Sequence, residues 1–225
     1  MTTNIAIDGP AGAGKSTIAK RVARELSFIY VDTGAMYRAM ALYLLRQNIE
    51  AQDTAKIEEI CEQADIAIAY ESGEQQVILN GENVTAYLRA EEVGKMASAS
   101  SPNAKVREKL VALQQKLARE ADVVMDGRDI GTKVLPDAAV KIYLTASVRI
   151  RAMRRYQELQ REGVSSSLEE IEKSIQKRDE QDKNRENSPL RQAEDAVLVD
   201  SSEMTIDQVV EEILSIYRKN RESGL

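Results

Sequence analysis

Residues 9–17 read Gly9-Pro10-Ala11-Gly12-Ala13-Gly14-Lys15-Ser16-Thr17, and no other stretch restricts the fold so strongly. Gly9, Gly14, Lys15 and Ser16 satisfy G-x-x-x-x-G-K-[ST], the P-loop whose backbone N–H groups hold the phosphates of a nucleoside triphosphate. Asn4-Ile5-Ala6-Ile7-Asp8 is strand-like just before it, and Ile18, Val22 and Leu26 mark one helical face just after it. Glycines let the backbone turn its N–H groups inward, and the following helix adds its positive end to the same spot. Lys15 then neutralises the β- and γ-phosphates. The Ser16 hydroxyl is a hard oxygen donor suited to Mg2+. All of residues 9–17 are expected to contact ATP.

Four further apolar runs resemble that first strand: Phe28–Val31, Asp122–Met125, Val140–Leu144 and Val197–Val199. Helical periodicity fills most of the intervals, which predicts an α/β fold with a five-stranded, buried parallel sheet of the P-loop NTPase type, flanked by helices. Ser101-Pro102 is expected to cap the helix bearing Val106, Leu110, Leu113 and Leu117. Capping boxes stand at Ser167–Glu170 and Thr205–Gln208. From about Asp65 to Thr85 the rhythm breaks. Ile66–Tyr70 and Gln76–Leu79 are β-like, and Asn80-Gly81 is a hairpin-turn pair before Glu82-Asn83-Val84. A small antiparallel sheet is expected there, between helices near 53–64 and 86–97. The chain of residues 1–225 is expected to be one domain, with an insertion over 34–98 and a lid over 149–166.

At 225 residues, 43% apolar and 30% charged, the composition is that of an ordinary soluble globule. No run approaches the roughly 20 apolar residues of a membrane span, and strand-like sequence begins too early to leave room for a signal peptide. Cys61, the one cysteine, reads as a small hydrophobe on the face of Ile57, Ile60 and Ala64. A cytoplasmic location follows as the expectation. The absence of histidine removes the commonest general base and excludes imidazole-based triads and imidazole-based metal sites, but phosphoryl transfer needs positioning and charge neutralisation instead. A net charge of −6 argues against broad nucleic-acid binding, while arginines crowd 149–161 and 178–191. An acidic chain with two arginine clusters points to a small, highly anionic ligand.

Arg149, Arg151, Arg154, Arg155 and Arg161 precede Gly163 and three serines. Taken alone, that stretch reads equally as a solvated charged helix; its place after the fourth strand favours a mobile arginine lid closing over phosphates. Met125-Asp126-Gly127-Arg128-Asp129 ends the third run, so Asp126 faces the ligand crevice of an open α/β sheet and is placed to orient a Mg2+-bound water. Asp-Gly is also simply a turn. Asp32-Thr33-Gly34-Ala35-Met36-Tyr37-Arg38 follows the second run, where Thr33 either reads a base edge or caps the next helix. In Arg178–Arg185, Arg178, Asp182 and Arg185 fall on one helical face, as a surface ion-pair ladder or as a grip on a nucleotide.

In the P-loop, Asp32–Arg38, Asp126–Thr132 and Arg178–Arg185, in that order, the chain resembles the bacterial cytidylate kinases over nearly its whole length. The resemblance implies transfer of the γ-phosphoryl of ATP to CMP or dCMP, with the inserted sheet as an enlarged nucleoside-monophosphate-binding region. It assigns Thr33, Arg107, Asp129 and Arg185 to the cytosine and Arg38 and Arg128 to the monophosphate. Ser98, Arg178 and Asp182 fall near the sugar, Ser98 being chosen among neighbouring serines by its spacing to Arg107. The family often has serine where Thr33 stands. Lys15, Arg128, Arg154 and Arg155 form the expected catalytic set, and Ser16 and Asp126 the Mg2+ site. A monomer is expected, with no nucleic-acid or membrane partner. Two other readings fit the P-loop. A GTPase switch should carry Asn-Lys-x-Asp, which this sequence lacks, and a kinase of shikimate or dephospho-coenzyme A leaves Asp126–Asp129 and Arg178–Asp182 without matched roles.

Overall fold

The computed structural model describes residues 2–222. Its elements in chain order are β1 (Asn4–Asp8), α1 (Lys15–Leu26), β2 (Ile29–Asp32), α2 (Thr33–Arg46), α3 (Thr54–Ile60), β3 (Ile66–Glu71), β4 (Glu74–Leu79) and β5 (Glu82–Asn83). There follow α4 (Glu91–Ser100), α5 (Ala104–Glu120), β6 (Val123–Gly127), β7 (Val140–Thr145), α6 (Val148–Arg161), α7 (Leu168–Asn184), β8 (Val197–Asp200) and α8 (Ile206–Glu222).

One five-stranded sheet runs β2-β6-β1-β7-β8, with parallel pairing of β1 to β6, β1 to β7 and β7 to β8. Ile7 lies opposite Asp126, and Asp8 stands between Gly127 and Tyr143. The carboxyl ends of β1, β6 and β7 therefore finish at one edge, where ligands bind in open parallel sheets. Their apolar residues are buried on both faces, which is why these strands read as unbroken apolar runs. The last strand departs from that expectation. β8 is an edge strand, and of its apolar residues only Val199 is buried while Val197 and Leu198 are exposed.

By internal packing the chain forms two compact units, one of residues up to Tyr30 and from Ala121 onward, the other Val31–Glu120. In the first, Ile18, Ala19 and Val22 of α1 and Val210, Ile213 and Tyr217 of α8 share a core with Ile5, Ile7, Ile142 and Leu144 of the sheet. Phe28 meets Tyr217 edge-on at 5.9 Å. Each fully buried aliphatic side chain of this kind contributes roughly 1.5–3 kcal/mol. Residues 149–166 lie within this unit; the expected insertion over 34–98 lies within the second. The ends of the expected 1–225 domain, residues 1 and 223–225, fall outside the described residues.

The second unit buries Met36, Met40 and Leu44 of α2 together with Ile57, Leu79, Val93 and Leu110. Strands β3, β4 and β5 form its antiparallel sheet. Ser72-Gly73 and Asn80-Gly81 both take positive φ at both positions, the tight-turn geometry that matches strand twist. The helices are more broken than their periodicity suggests. α3 gives way to a 3-10 turn at Cys61–Gln63, and a 3-10 turn at Thr85–Arg89 is separated from α4 by extended Ala90. Ser101 does not cap α5. Asn103 does, because its amide oxygen accepts from the Lys105 and Val106 N–H groups at 3.0 and 3.2 Å, leaving Pro102 in the preceding turn. Both capping boxes form as expected. Among the described residues no helix is long and apolar enough to cross a membrane.

Candidate active site

β1 delivers the chain to Gly9, whose φ of +152° and contact with β7 admit no side chain: a Cβ there would stand 1.9 Å from the Leu144 carbonyl oxygen. Gly12 and Gly14 also take positive φ, and α1 begins at Lys15. Lys15 is buried and its Nζ donates to the Pro10 carbonyl at 2.8 Å, folding the ammonium back across the loop. Burial above all, then repulsion from Arg128, lowers its pKa to about 7, against the pull of Asp126, Asp8 and Asp182. Ser16 and Thr17, at the open end of α1, are exposed.

Asp126 closes β6 beneath this loop. Its Oδ2 accepts from the Ser16 hydroxyl at 3.0 Å and its Oδ1 from the Tyr30 hydroxyl at 2.8 Å. A hydroxyl and a carboxylate oxygen side by side are hard donors of the kind Mg2+ takes, and the pair fits that ion. Among the described residues no three His, Cys, Asp or Glu side chains gather as a cage. Mg2+ is commonly held by one or two protein oxygens, with phosphate and water completing its shell.

Beyond β6, buried Asp8 accepts from the Ile130 and Gly131 N–H groups at 2.8 and 2.7 Å. These bonds tie the end of β1 to the wide helical turn Ile130–Val134, and so fix the segment carrying Arg128 and Asp129. Burial, opposed by those two bonds, raises the Asp8 pKa to about 6. Arg128 Nε donates to Asp182 Oδ2 at 2.8 Å. Buried Asp129 lies 3.6 Å from the Arg185 guanidinium, which also donates to the Ser188 carbonyl. The expected Arg178-Asp182-Arg185 face is thus divided. Arg185 lies just past the end of α7, Arg178 is exposed, and the partner of Asp182 is Arg128.

The α6 arginines have unlike surroundings. Arg149 pairs with Glu172 and Arg155 with Glu158, both on the surface. Arg154 donates to the Ser201 carbonyl at 2.8 Å, and its guanidinium lies within 4 Å of where a side chain on Gly14 would begin. Arg151 differs from the expected lid charge. It is buried and grips both oxygens of Asp179, at 3.0 and 2.6 Å.

Within the second unit, Asp32 caps α2 by accepting from the Ala35 N–H at 2.9 Å, so Thr33 is the first helical residue and not the cap. Thr33 is buried. Arg38 Nη2 reaches the second Asp32 oxygen at 3.1 Å, the Asp32 backbone N–H donates to Gln75 Oε1 at 2.8 Å, and Gln75 Nε2 donates to the Asp32 carbonyl at 3.3 Å. Arg107 is buried over the Tyr37 ring, 5.6 Å from its centre. Ser98 is exposed on α4, its carbonyl accepting from the Ser101 hydroxyl at 3.2 Å.

Sequence reasoning passed over Asp8, Tyr30 and Asp179. Asp8 ends a parallel strand and Asp126 lies one residue from the end of another, so the same rule applied to Asp8 would have found it. Asp179 continues the spacing of Ile171 and Ile175 on α7, and a carboxylate in that phase signals a buried partner. Tyr30 left no signal, since a strand tyrosine is ordinary core.

A family model described as cytidylate kinase matches residues 5–219. A cytidylate kinase of Caldicellulosiruptor bescii is 50% identical over 96% of both chains, and one of Caldicellulosiruptor saccharolyticus is 49% identical over the same shares. The fold is also similar to that of a shikimate kinase from Bacteroides thetaiotaomicron, with a TM-score of 0.50 over 96% of this chain and 98% of that one. At 15% identity that likeness concerns the fold alone.

Proposed function

Since the chain belongs to the cytidylate kinase family, we infer that it transfers the γ-phosphoryl group of ATP to CMP and dCMP, giving CDP or dCDP and ADP. The observation that carries this reading is 50% identity to a cytidylate kinase across 96% of the chain. It acts as a cytoplasmic monomer with small-molecule substrates, without nucleic-acid or membrane partners.

In the proposed mechanism a phosphate oxygen of the monophosphate forms the new bond to the γ-phosphorus as the bridging β–γ oxygen leaves with ADP. A phosphate monoester has its second pKa near about 6 and is already ionised at neutral pH, so the attacking oxygen needs no base. That accounts for a kinase site with no histidine. The loop's backbone N–H groups, Pro10 having none, hold the β-phosphate, and Lys15 exchanges the Pro10 carbonyl for the migrating charge. Arg128, aligned by Asp182, and Arg38, aligned by Asp32, take the acceptor phosphate, while Arg154 and Arg155 supply charge from α6. Ser16 and Asp126 would hold Mg2+, which would supply positive charge against the charge of the transferring phosphates.

Asp129, with Arg185 beside it, accepts from the cytosine amine; a uracil carbonyl in that place faces a carboxylate oxygen and is rejected. Thr33 and Arg107 complete the base contacts, and Ser98, Arg178 and Asp182 those near the sugar. The test is a rate panel with ATP and Mg2+ against CMP, dCMP, UMP, AMP, GMP and shikimate. CMP and dCMP are expected to lead; a faster rate on a purine monophosphate or on shikimate overturns the reading.

A further inference from the structure

Arg151 donates four hydrogen bonds, and together they join three elements. Nη1 and Nη2 grip the two Asp179 oxygens on α7 at 3.0 and 2.6 Å, and Nε donates to the Ala146 carbonyl at the end of β7 at 2.9 Å. Nη1 also donates to the Ala11 carbonyl in the glycine loop at 2.9 Å. The stem of the same side chain lies against that loop, since a Cβ on Gly12 would meet Arg151 Cβ at 3.4 Å. Arg151 and Asp179 are both buried, so their geometry is held without competition from water.

A trans peptide points its C=O and N–H in opposite directions within one plane. Fixing the Ala11 carbonyl on Arg151 therefore fixes the Gly12 N–H away from α6. We propose that the Arg151–Asp179 pair is a positioning device for ATP, which holds the Ala11–Gly12 peptide so that the loop's N–H groups face the phosphates before the nucleotide arrives. Asp179 acts through Arg151 and touches no substrate. The inference rests on the reading that residues 9–17 bind ATP. It also gives α7 two separate tasks, because Asp182, three residues on, aligns Arg128 on the acceptor side.

Asp179→Asn keeps the shape of the side chain but turns one acceptor into a donor facing a guanidinium donor, so Arg151 loses half its grip. The double variant Arg151→Met/Asp179→Leu replaces the pair by apolar groups, a change that buried ion pairs often tolerate. The measurement is calorimetric binding of a non-hydrolysable ATP analogue with Mg2+, and separately of CMP, to the full chain and both variants below their melting temperatures. The proposal expects at least tenfold weaker binding of the analogue and CMP affinity within twofold of the parent. Unchanged analogue affinity in either folded variant overturns it. So do equal losses for analogue and CMP, or failure of both variants to fold, since the pair is then a general folding element. A parent protein that binds the analogue but phosphorylates no cytidylate contradicts the proposed function and leaves the loop proposal supported by its own binding data; one that binds no analogue contradicts both.

Discussion

Ser16 and Asp126, 110 residues apart in the chain, meet as hydroxyl donor and carboxylate acceptor at 3.0 Å. The contact brings the start of α1 to the end of β6, and Tyr30 orients the same carboxylate from its other oxygen. In the proposed Mg2+ site Tyr30 would be an outer group, and such groups typically govern metal affinity or activity by roughly 10–100-fold. Tyr30→Phe keeps the ring in the core and removes only that donor. The Mg2+ concentration for half-maximal rate is expected to rise by about that factor. An unshifted Mg2+ titration would remove Asp126 from the metal site.

Lys15→Met preserves most of the buried stem and removes the charge. The protein should fold and kcat should fall by roughly 10²–10³, the usual cost of losing one donor to transition-state charge. Stopped-time assays at saturating ATP and CMP, beside a thermal melt, check this. A folded variant with near-parental kcat would take Lys15 out of the chemistry.

Asp8 carries a pH signature in stability. Its pKa is about 6 in the folded chain against an ordinary 3.8, burial being the largest cause, with Asp129 adding to the rise and Lys15 opposing it. Between those values the folded chain holds a proton that the unfolded chain releases. The contribution of Asp8 is therefore fully present below pH 3.8 and is lost as pH rises through about 6. The change is on the order of 3 kcal/mol. Denaturant unfolding of parent and Asp8→Asn should show the parent gaining relative stability toward low pH. A difference that stays constant with pH would contradict the burial account.

The sheet and loop were legible because each rests on local chemistry: glycine spacing at Gly9–Gly14, apolar runs for the strands, Asn80-Gly81 for the hairpin. What stayed hidden depends on partners distant in the chain. Val197 and Leu198 read as buried because an apolar run does not reveal an edge position. Arg151 read as a mobile charge because nothing near it in sequence announces Asp179, and Asp182 read as a partner of flanking arginines because Arg128 lies 54 residues away. The Asn103 cap was missed for a local reason, since Ser101-Pro102 offers an equally acceptable start two residues earlier.

Arg154 and Arg155 separate the lid idea from that of a solvated helix. Arg154 lies beside Gly14 and is held by Ser201, whereas Arg155 pairs with Glu158 on the surface. If its charge serves the migrating phosphoryl group as proposed, Arg154→Ala is expected to lower kcat by at least tenfold with CMP affinity nearly unchanged. Arg155→Ala should lower kcat less. Parental turnover in both would make α6 a structural helix only.

Cytosine selectivity is proposed to rest on Asp129, buried beside Arg185 at 3.6 Å, as the acceptor for the cytosine amine. Asp129→Asn can rotate its amide to accept from cytosine or donate to uracil, so the preference for CMP should narrow. One well-made base contact is worth roughly 1–3 kcal/mol, about ten- to a hundredfold in kcat/KM. The measurement is kcat/KM for CMP and for UMP in the parent and in Asp129→Asn, with folding verified by melt. The account predicts a strong parental preference for CMP that shrinks by that factor in the variant; an unchanged CMP/UMP ratio, or a parent indifferent between the two bases, would contradict it.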